Sequence, residues 1–195
     1  MLYLEKAKVF SEGLTLYNIH FCEGVFAMDK RFKKNEFVVY GKNGVCEIED
    51  IRIMNFAGQR EEYYILRPKS SRASTVYVPV NKDELVSRMR FVVTRKQADE
   101  ILNSVSGECI AWIDDKGLRL EQFNSIVSSG DIREIILLIS CMRKKKAEKE
   151  SQNKNLSSTD ENILRLAEEL VEEEFSLAME CSAENALEYL NSKIG

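Results

Sequence analysis

The chain has 195 residues, 44% of them hydrophobic, only two prolines and a formal charge of −4, a composition that excludes a disordered polypeptide and allows one large or two small packed domains. The acidity is uneven: residues 155–195 carry ten acidic against two basic side chains, a net −8, whereas residues 28–111 carry +3 and residues 112–154 carry +2. An acidic pI near 5.3 therefore does not exclude nucleic-acid contact for the first three quarters of the chain.

Residues 1–27, MLYLEKAKVFSEGLTLYNIHFCEGVFA, mix apolar and polar residues without a sustained period of 2 or 3.6. Met28 then opens MDKRFKK, a plausible start, so residues 1–27 are read either as translated leader or as an N-terminal arm. From Phe37 to Val80 the pattern is β: FVVY, VCEIEDIRI, REEYYILR and STVYVPV are short runs rich in Val, Ile and Tyr. They are separated by turn signals at Gly41–Gly44, Asn55–Gly58 and Pro68–Ser71, which predicts an antiparallel meander. In VCEIEDIRI neither alternating face is cleanly apolar, and a bulge or strong twist within a small barrel reconciles the two.

Beyond Val93 the period becomes helical. Thr94 and Gln97 fit a capping box, followed by Ala98, Ile101, Leu102 and Val105. A second helix is expected to bury Leu118, Leu120, Phe123, Ile126 and Val127, and a third runs from Ile132 to about Glu150 behind Asp131. After the polar link KESQNKNLSSTDE, Ser158 with Glu161 opens a fourth, and a short last helix starts at Ala183. The fold class is α+β, a small antiparallel β-barrel followed by an all-α bundle. The expected divisions are 1–27, 28–93 and 94–195.

Chemistry-bearing clusters are scarce. Cys22, Cys46, Cys109, Cys141 and Cys181 contain no CxxC pair and the only histidine is His20, so neither a metal site nor a disulfide framework is expected, and a reducing cytoplasm suits the chain. There is no apolar run of 18 residues and no signal-peptide pattern. Asp114-Asp115 lack a partner acid, Glu61-Glu62 alternate across a strand, and no nucleophile–base arrangement is available. A non-enzymatic binding protein without cofactors is the expectation. Trp112, the only tryptophan, reads most simply as a core anchor. Arg143, Lys144, Lys145 and Lys146 read as a basic helix end that complements the helix dipole or meets phosphates.

The run FKKNEFVVYGKNGVCEIEDI, then REEYYIL, then STVYVPV resembles the polymerase-interacting domain of the CarD (CdnL-like) bacterial transcription regulators, a Tudor-like barrel shared with the transcription-repair coupling factor. WIDDKGLRLEQFNSIVSSGDIREIILLI resembles the start of that family's helical DNA-binding domain. No GxxxxGK[ST] loop is present, so the coupling-factor helicase is excluded.

The resemblance implies docking on the polymerase β subunit through a strand edge, with Arg52, Ile53, Met54 and Tyr77 at the contact positions. It also implies promoter DNA contact at the upstream edge of the transcription bubble. There Trp112 acts as a wedge, and Lys116, Arg119, Arg143, Lys144, Lys145 and Lys146 lie near phosphates, stabilising the open complex. Some members have basic residues where Met54 and Tyr77 stand. The family also tends to have Gly-Glu-Lys where this chain has Asp160-Glu161-Asn162 behind Thr159, which removes a cation. A monomer on the polymerase is implied, with no membrane partner. The alternative is an adaptor of the same fold with a non-polymerase partner such as a ribosomal protein.

Overall fold

A computed structural model describes residues 31–56, 58–71 and 73–194; the reading of residues 1–27 as leader or arm lies outside them. Strands β1 (Phe37–Tyr40), β2 (Val45–Phe56), β3 (Gln59–Pro68), β4 (Val76–Pro79) and β5 (Met89–Phe91) form one antiparallel sheet in the order β4-β3-β2-β1-β5. A one-turn helix α1 (Asp83–Val86) precedes β5. Both are absent from the sequence expectation, because three or four residues are too few to display a period.

The mixed faces of β2 resolve as expected. Its register against β3 shifts between Ile48 and Asp50, so Cys46 and Ile48 point into the core before the bulge and Ile51 turns that way after it. Phe32, Val38, Cys46, Ile48, Tyr64, Leu66, Val78 and Met89 share this core. Val78 and Met89 belong to the two outer strands, so the sheet is coiled around its own apolar face.

The second half is helical: α2 (Arg95–Val105), α3 (Lys116–Ser129), α4 (Ile132–Ser151), α5 (Ser158–Met179) and α6 (Ala183–Ile194). The caps follow from side chains that accept orphan N–H groups, each worth about 1 kcal/mol. Thr94 and Gln97 make the full capping box, Asp115 accepts from Leu118 N–H, and Asp131 accepts from Arg133 and Glu134 N–H. For α5 the cap is Ser157, one residue before the expected Ser158, because its hydroxyl accepts from Asp160 N–H.

Helix α4 is buried without interruption from Ile135 to Met142, the mark of a helix surrounded by others. It forms the spine of a core shared with Leu102, Phe123, Val171, Phe175 and Leu190. Cys46 and Cys141 are buried, and burial pushes their thiols up to about 12 and about 11, so they pack as small apolar groups. No helix among the described residues is long and apolar enough to cross a membrane.

One prediction within α3 is corrected. Leu118 was expected inside, but it is 61% exposed, while Arg119 is only 6% exposed. The inward stripe is Arg119, Phe123 and Val127, spaced by four, and Leu118 lies about 100° off it.

Candidate functional site

Strand β4 is an edge of the sheet. Val80 N–H donates to Glu62 O at 2.8 Å, and β4 pairs Val78 with Tyr64 and Val76 with Leu66. By the alternation of an antiparallel ladder, Val76, Val78 and Val80 turn their hydrogen-bonding groups to β3, and Tyr77 turns its N–H and C=O outward. Pro79, which has no N–H, stands at another outward position, where an edge strand tolerates it.

Side chains around this edge form an exposed aromatic patch. Tyr77 and Phe56 are each 42% exposed, and the Phe56 ring packs edge-on against Tyr77 at 5.5 Å and Tyr63 at 5.1 Å. Arg52 pairs with Tyr63, and Tyr63 with Pro79, whereas Asp50 pairs with Ile65, and Ile65 with Tyr77. Cross-strand partners share a face, so Arg52, Met54 and Tyr77 lie together. Ile53 pairs with Glu62 and lies on the opposite face, 56% exposed. The sequence-predicted set is thus split, three residues to one. Phe56 and Tyr63 were not singled out in the sequence; the one available signal was a large aromatic beside a hairpin turn.

A cleft of about 370 Å³ opens beside Tyr77, lined by Lys34, Asp50, Arg52, Arg67 and Thr75 among others. Two ion pairs lie within it, Arg67 on Glu49 at 2.6 Å and Lys34 on Asp50 at 3.4 Å. A hydrogen bond from the Ile51 N–H, supported by Lys34 and Arg52, holds the Asp50 carboxyl below the usual carboxylate range.

The second constellation centres on Trp112, in the loop before α3. Its indole is half-buried, edge-on to Phe123 at 5.9 Å, with the Arg119 guanidinium at 4.5 Å and the Lys145 ammonium at 5.6 Å from the ring centre. Trp112 is therefore neither a full core side chain nor a free one: one part is anchored on Phe123 and another remains open.

Arg119 does not fit its expected place at a phosphate. Its Nε and Nη2 donate to Asp160 at 3.1 and 3.2 Å, and its Nη1 donates to the carbonyls of Ile113 and Asp114 at 2.8 and 3.1 Å. Burial alone would raise the Asp160 pKa, but hydrogen bonds from Arg119 and Ser157 and the Arg119 charge outweigh it and hold the carboxyl below its ordinary value. Arg119 thus ties the Trp112 loop to the first turn of α5 and supports the indole from behind. Removing one member of such a buried pair typically costs about 3–5 kcal/mol.

The remaining cations differ in availability. Arg143 is held by Glu168 at 2.7 Å and Asn191 at 2.8 Å, and Lys145 by Glu148 at 3.0 Å. Lys116 and Lys144 are exposed, Lys146 is half-buried, and the Lys144 ammonium lies 3.4 Å from Cys109 Sγ. Asp114 and Asp115 are exposed beside Lys116, so the basic footprint is thinner than the run Arg143–Lys146 implied.

Comparison of the whole sequence with curated proteins gives no match. Residues 32–90 match the family model of the CarD-like/TRCF RID domain, the RNA polymerase-interacting domain shared with the transcription-repair coupling factor. That segment begins at the buried Phe32, spans all of β1 to β4 and ends within β5. By that match, on a sheet whose β4 edge pairs with no further strand among the described residues, the chain carries a segment over residues 32–90 that is similar to the CarD-like/TRCF RID domain.

Proposed function

We propose that this protein is an RNA polymerase-bound transcription regulator that docks on the polymerase β subunit and contacts promoter DNA at the upstream edge of the bubble, stabilising the open complex. Residues 28–93 form the docking part and residues 94–195 the DNA-contacting part. The observation that carries the reading is the β4 edge inside the matched segment, where Tyr77 turns its N–H and C=O away from β3, with no partner strand among the described residues, beside the exposed rings of Phe56 and Tyr77. A partner strand laid on this edge gains main-chain hydrogen bonds there, and the aromatic patch supplies apolar contact. Arg52 and Met54 flank it on the same face, and Ile53 borders it from the other.

Trp112 supports the DNA half. A partly open indole anchored on Phe123, with the Lys145 ammonium over its ring, Lys116 four residues on and Lys144 against Cys109 three residues before it, suits stacking on a base at a distorted junction. No covalent chemistry is required of the chain.

The test separates backbone from side chain at one residue. Tyr77→Pro removes the outward N–H and leaves the β3–β4 ladder intact, whereas Tyr77→Ala removes only the ring. In a pull-down of core RNA polymerase by the full chain, Ala is expected to weaken retention about five- to tenfold and Pro to abolish it, with circular dichroism unchanged. Retention of polymerase by both variants at the wild-type level would move the interface elsewhere. Recovery of ribosomes in place of polymerase by the wild type would favour the adaptor reading.

A further inference from the structure

The sheet and the helices meet across a narrow seam built around two adjacent residues of α5. Arg90, the middle residue of β5, places both terminal nitrogens on the Glu174 carboxylate, Nη2 at 2.7 Å from Oε2, while its Nε and Nη2 donate to the Gly130 carbonyl at 2.9 and 2.7 Å. Gly130 is the left-handed residue that ends α3. Glu174 is only 2% exposed and also accepts from Val93 N–H at 3.0 Å. Its neighbour Glu173 accepts from Val45 N–H, at the start of β2, at 3.0 Å. Strand β5 through Arg90, the segment before α2 through Val93 and the start of β2 through Val45 are thereby joined to one pair of carboxylates, and Arg90 ties the end of α3 to the same point.

Backbone contact reinforces the seam. A Cβ on Gly130 would stand 3.1 Å from the Gly41 Cα and N, and a Cβ on Gly41 would stand 2.6 Å from the Ser128 carbonyl oxygen. The turn after β1 and the end of α3 approach as closely as glycines allow. Apolar packing alone would hold the two halves together at less cost than a buried carboxylate. A forked guanidinium shared between a carboxylate and a carbonyl adds direction: it is satisfied in one relative orientation only.

We propose that the Arg90–Glu174 pair is a positioning latch that fixes the orientation of the Trp112-bearing helices relative to the polymerase-docking sheet, so that a bound chain presents Trp112 at one place on the DNA. This rests on the polymerase-bound reading above. The latch is on β5 and the docking edge is β4, the two opposite ends of the strand order, so opening the latch leaves the docking surface untouched. What is lost is pre-organisation: a swinging helical half must be ordered again each time it meets DNA.

The experiment uses the full chain with RNA polymerase holoenzyme on a promoter. Arg90→Met keeps the apolar stem and removes the fork; Arg90→Lys keeps the charge, which reaches Glu174 without also spanning to the Gly130 carbonyl. The Arg90→Met variant is expected to bind core polymerase within twofold of wild type, to expose the Val93 amide to hydrogen exchange, and to shorten open-complex half-life at least fivefold. Arg90→Lys is expected to recover part of that half-life. An exchanging Val93 amide with an unchanged half-life would overturn the latch. Should Arg90→Met unfold, Glu174→Gln keeps the side-chain shape and removes the ionic half, and an unaltered half-life in that variant overturns the proposal equally. A wild-type chain that fails to bind polymerase would instead overturn the function and the latch with it.

Discussion

At the scale of single residues, Trp112 and Glu173 carry the most information. Trp112 is anchored on Phe123 but stays partly open, so truncation leaves a surface groove more than a sealed cavity. Trp112→Ala is expected to destabilise the protein by about 1.5–3 kcal/mol, less than the cost of deleting a fully buried aromatic. If the indole stacks at the bubble edge, a contribution of about 1–3 kcal/mol makes the same variant shorten open-complex lifetime about fivefold to 150-fold, while Trp112→Phe restores most of the stability and part of the lifetime. A lifetime equal to wild type in Trp112→Ala would leave the residue a purely structural role. Glu173 is pushed above the usual glutamate range by burial, with the Val45 N–H bond and the Lys69 charge acting in the opposite direction. A raised carboxyl pKa means that the folded state holds its proton more tightly than the unfolded chain. The associated stability is therefore full below the unfolded value and is lost as pH rises through the folded one. Glu173→Gln, which retains an acceptor for Val45 N–H without the charge, is expected to gain thermal stability relative to wild type at pH 8 and to lose that advantage by pH 4. A constant difference across that range would mean that the ionised form is not penalised.

At the scale of elements, the long strongly patterned segments were legible and the short or charge-paired ones were not. The four expected strands, the bulge in VCEIEDIRI, the Thr94–Gln97 capping box and the extent of α4 all follow from periodicity and caps that act locally. Strand β5 and helix α1 are too short to show a period, and β5 is held by its pairing with β1. Arg119 and Leu118 were misplaced for a related reason: hydrophobicity alone ranks Leu inside, and the buried Asp160 that draws Arg119 inward lies 41 positions away. Arg143 likewise looks free in sequence, and is committed to α5 and α6 in space. The same pairings thin the basic face between α3 and α4. With Lys116, Lys144 and Lys146 as the remaining phosphate contacts, DNA affinity is expected to fall with a log–log salt slope of about −2.7, roughly 40-fold between 50 and 200 mM salt. A slope steeper than about −5 would return Arg119 and Arg143 to the DNA, and a flat response would remove the lysines from it.

At the scale of the whole molecule, residues 31–195 make up a single cluster of contacts, although sequence pattern alone divides them at Val93 into a β part and a helical part. The turn Gly41–Gly44, whose sequence signals only a hairpin, is also where the sheet receives the helices: Gly44 has φ +65°, and a Cβ there would stand 2.5 Å from Glu173 Oε2 and 3.0 Å from Leu170 Cδ2. A glycine at this turn thus serves a backbone conformation and a close approach together. The opposite edge, β4, pairs with no further strand among the described residues, and the proposed function depends on that asymmetry: one edge tied inward to the helices, the other offered to a partner. The most direct test is hydrogen exchange at the Tyr77 amide, with and without core RNA polymerase. The account predicts an amide that exchanges readily in the free protein and becomes strongly protected on binding, while the already bonded Val78 amide changes little. An amide at Tyr77 that exchanges at the same rate in both states, with polymerase demonstrably bound, would contradict it.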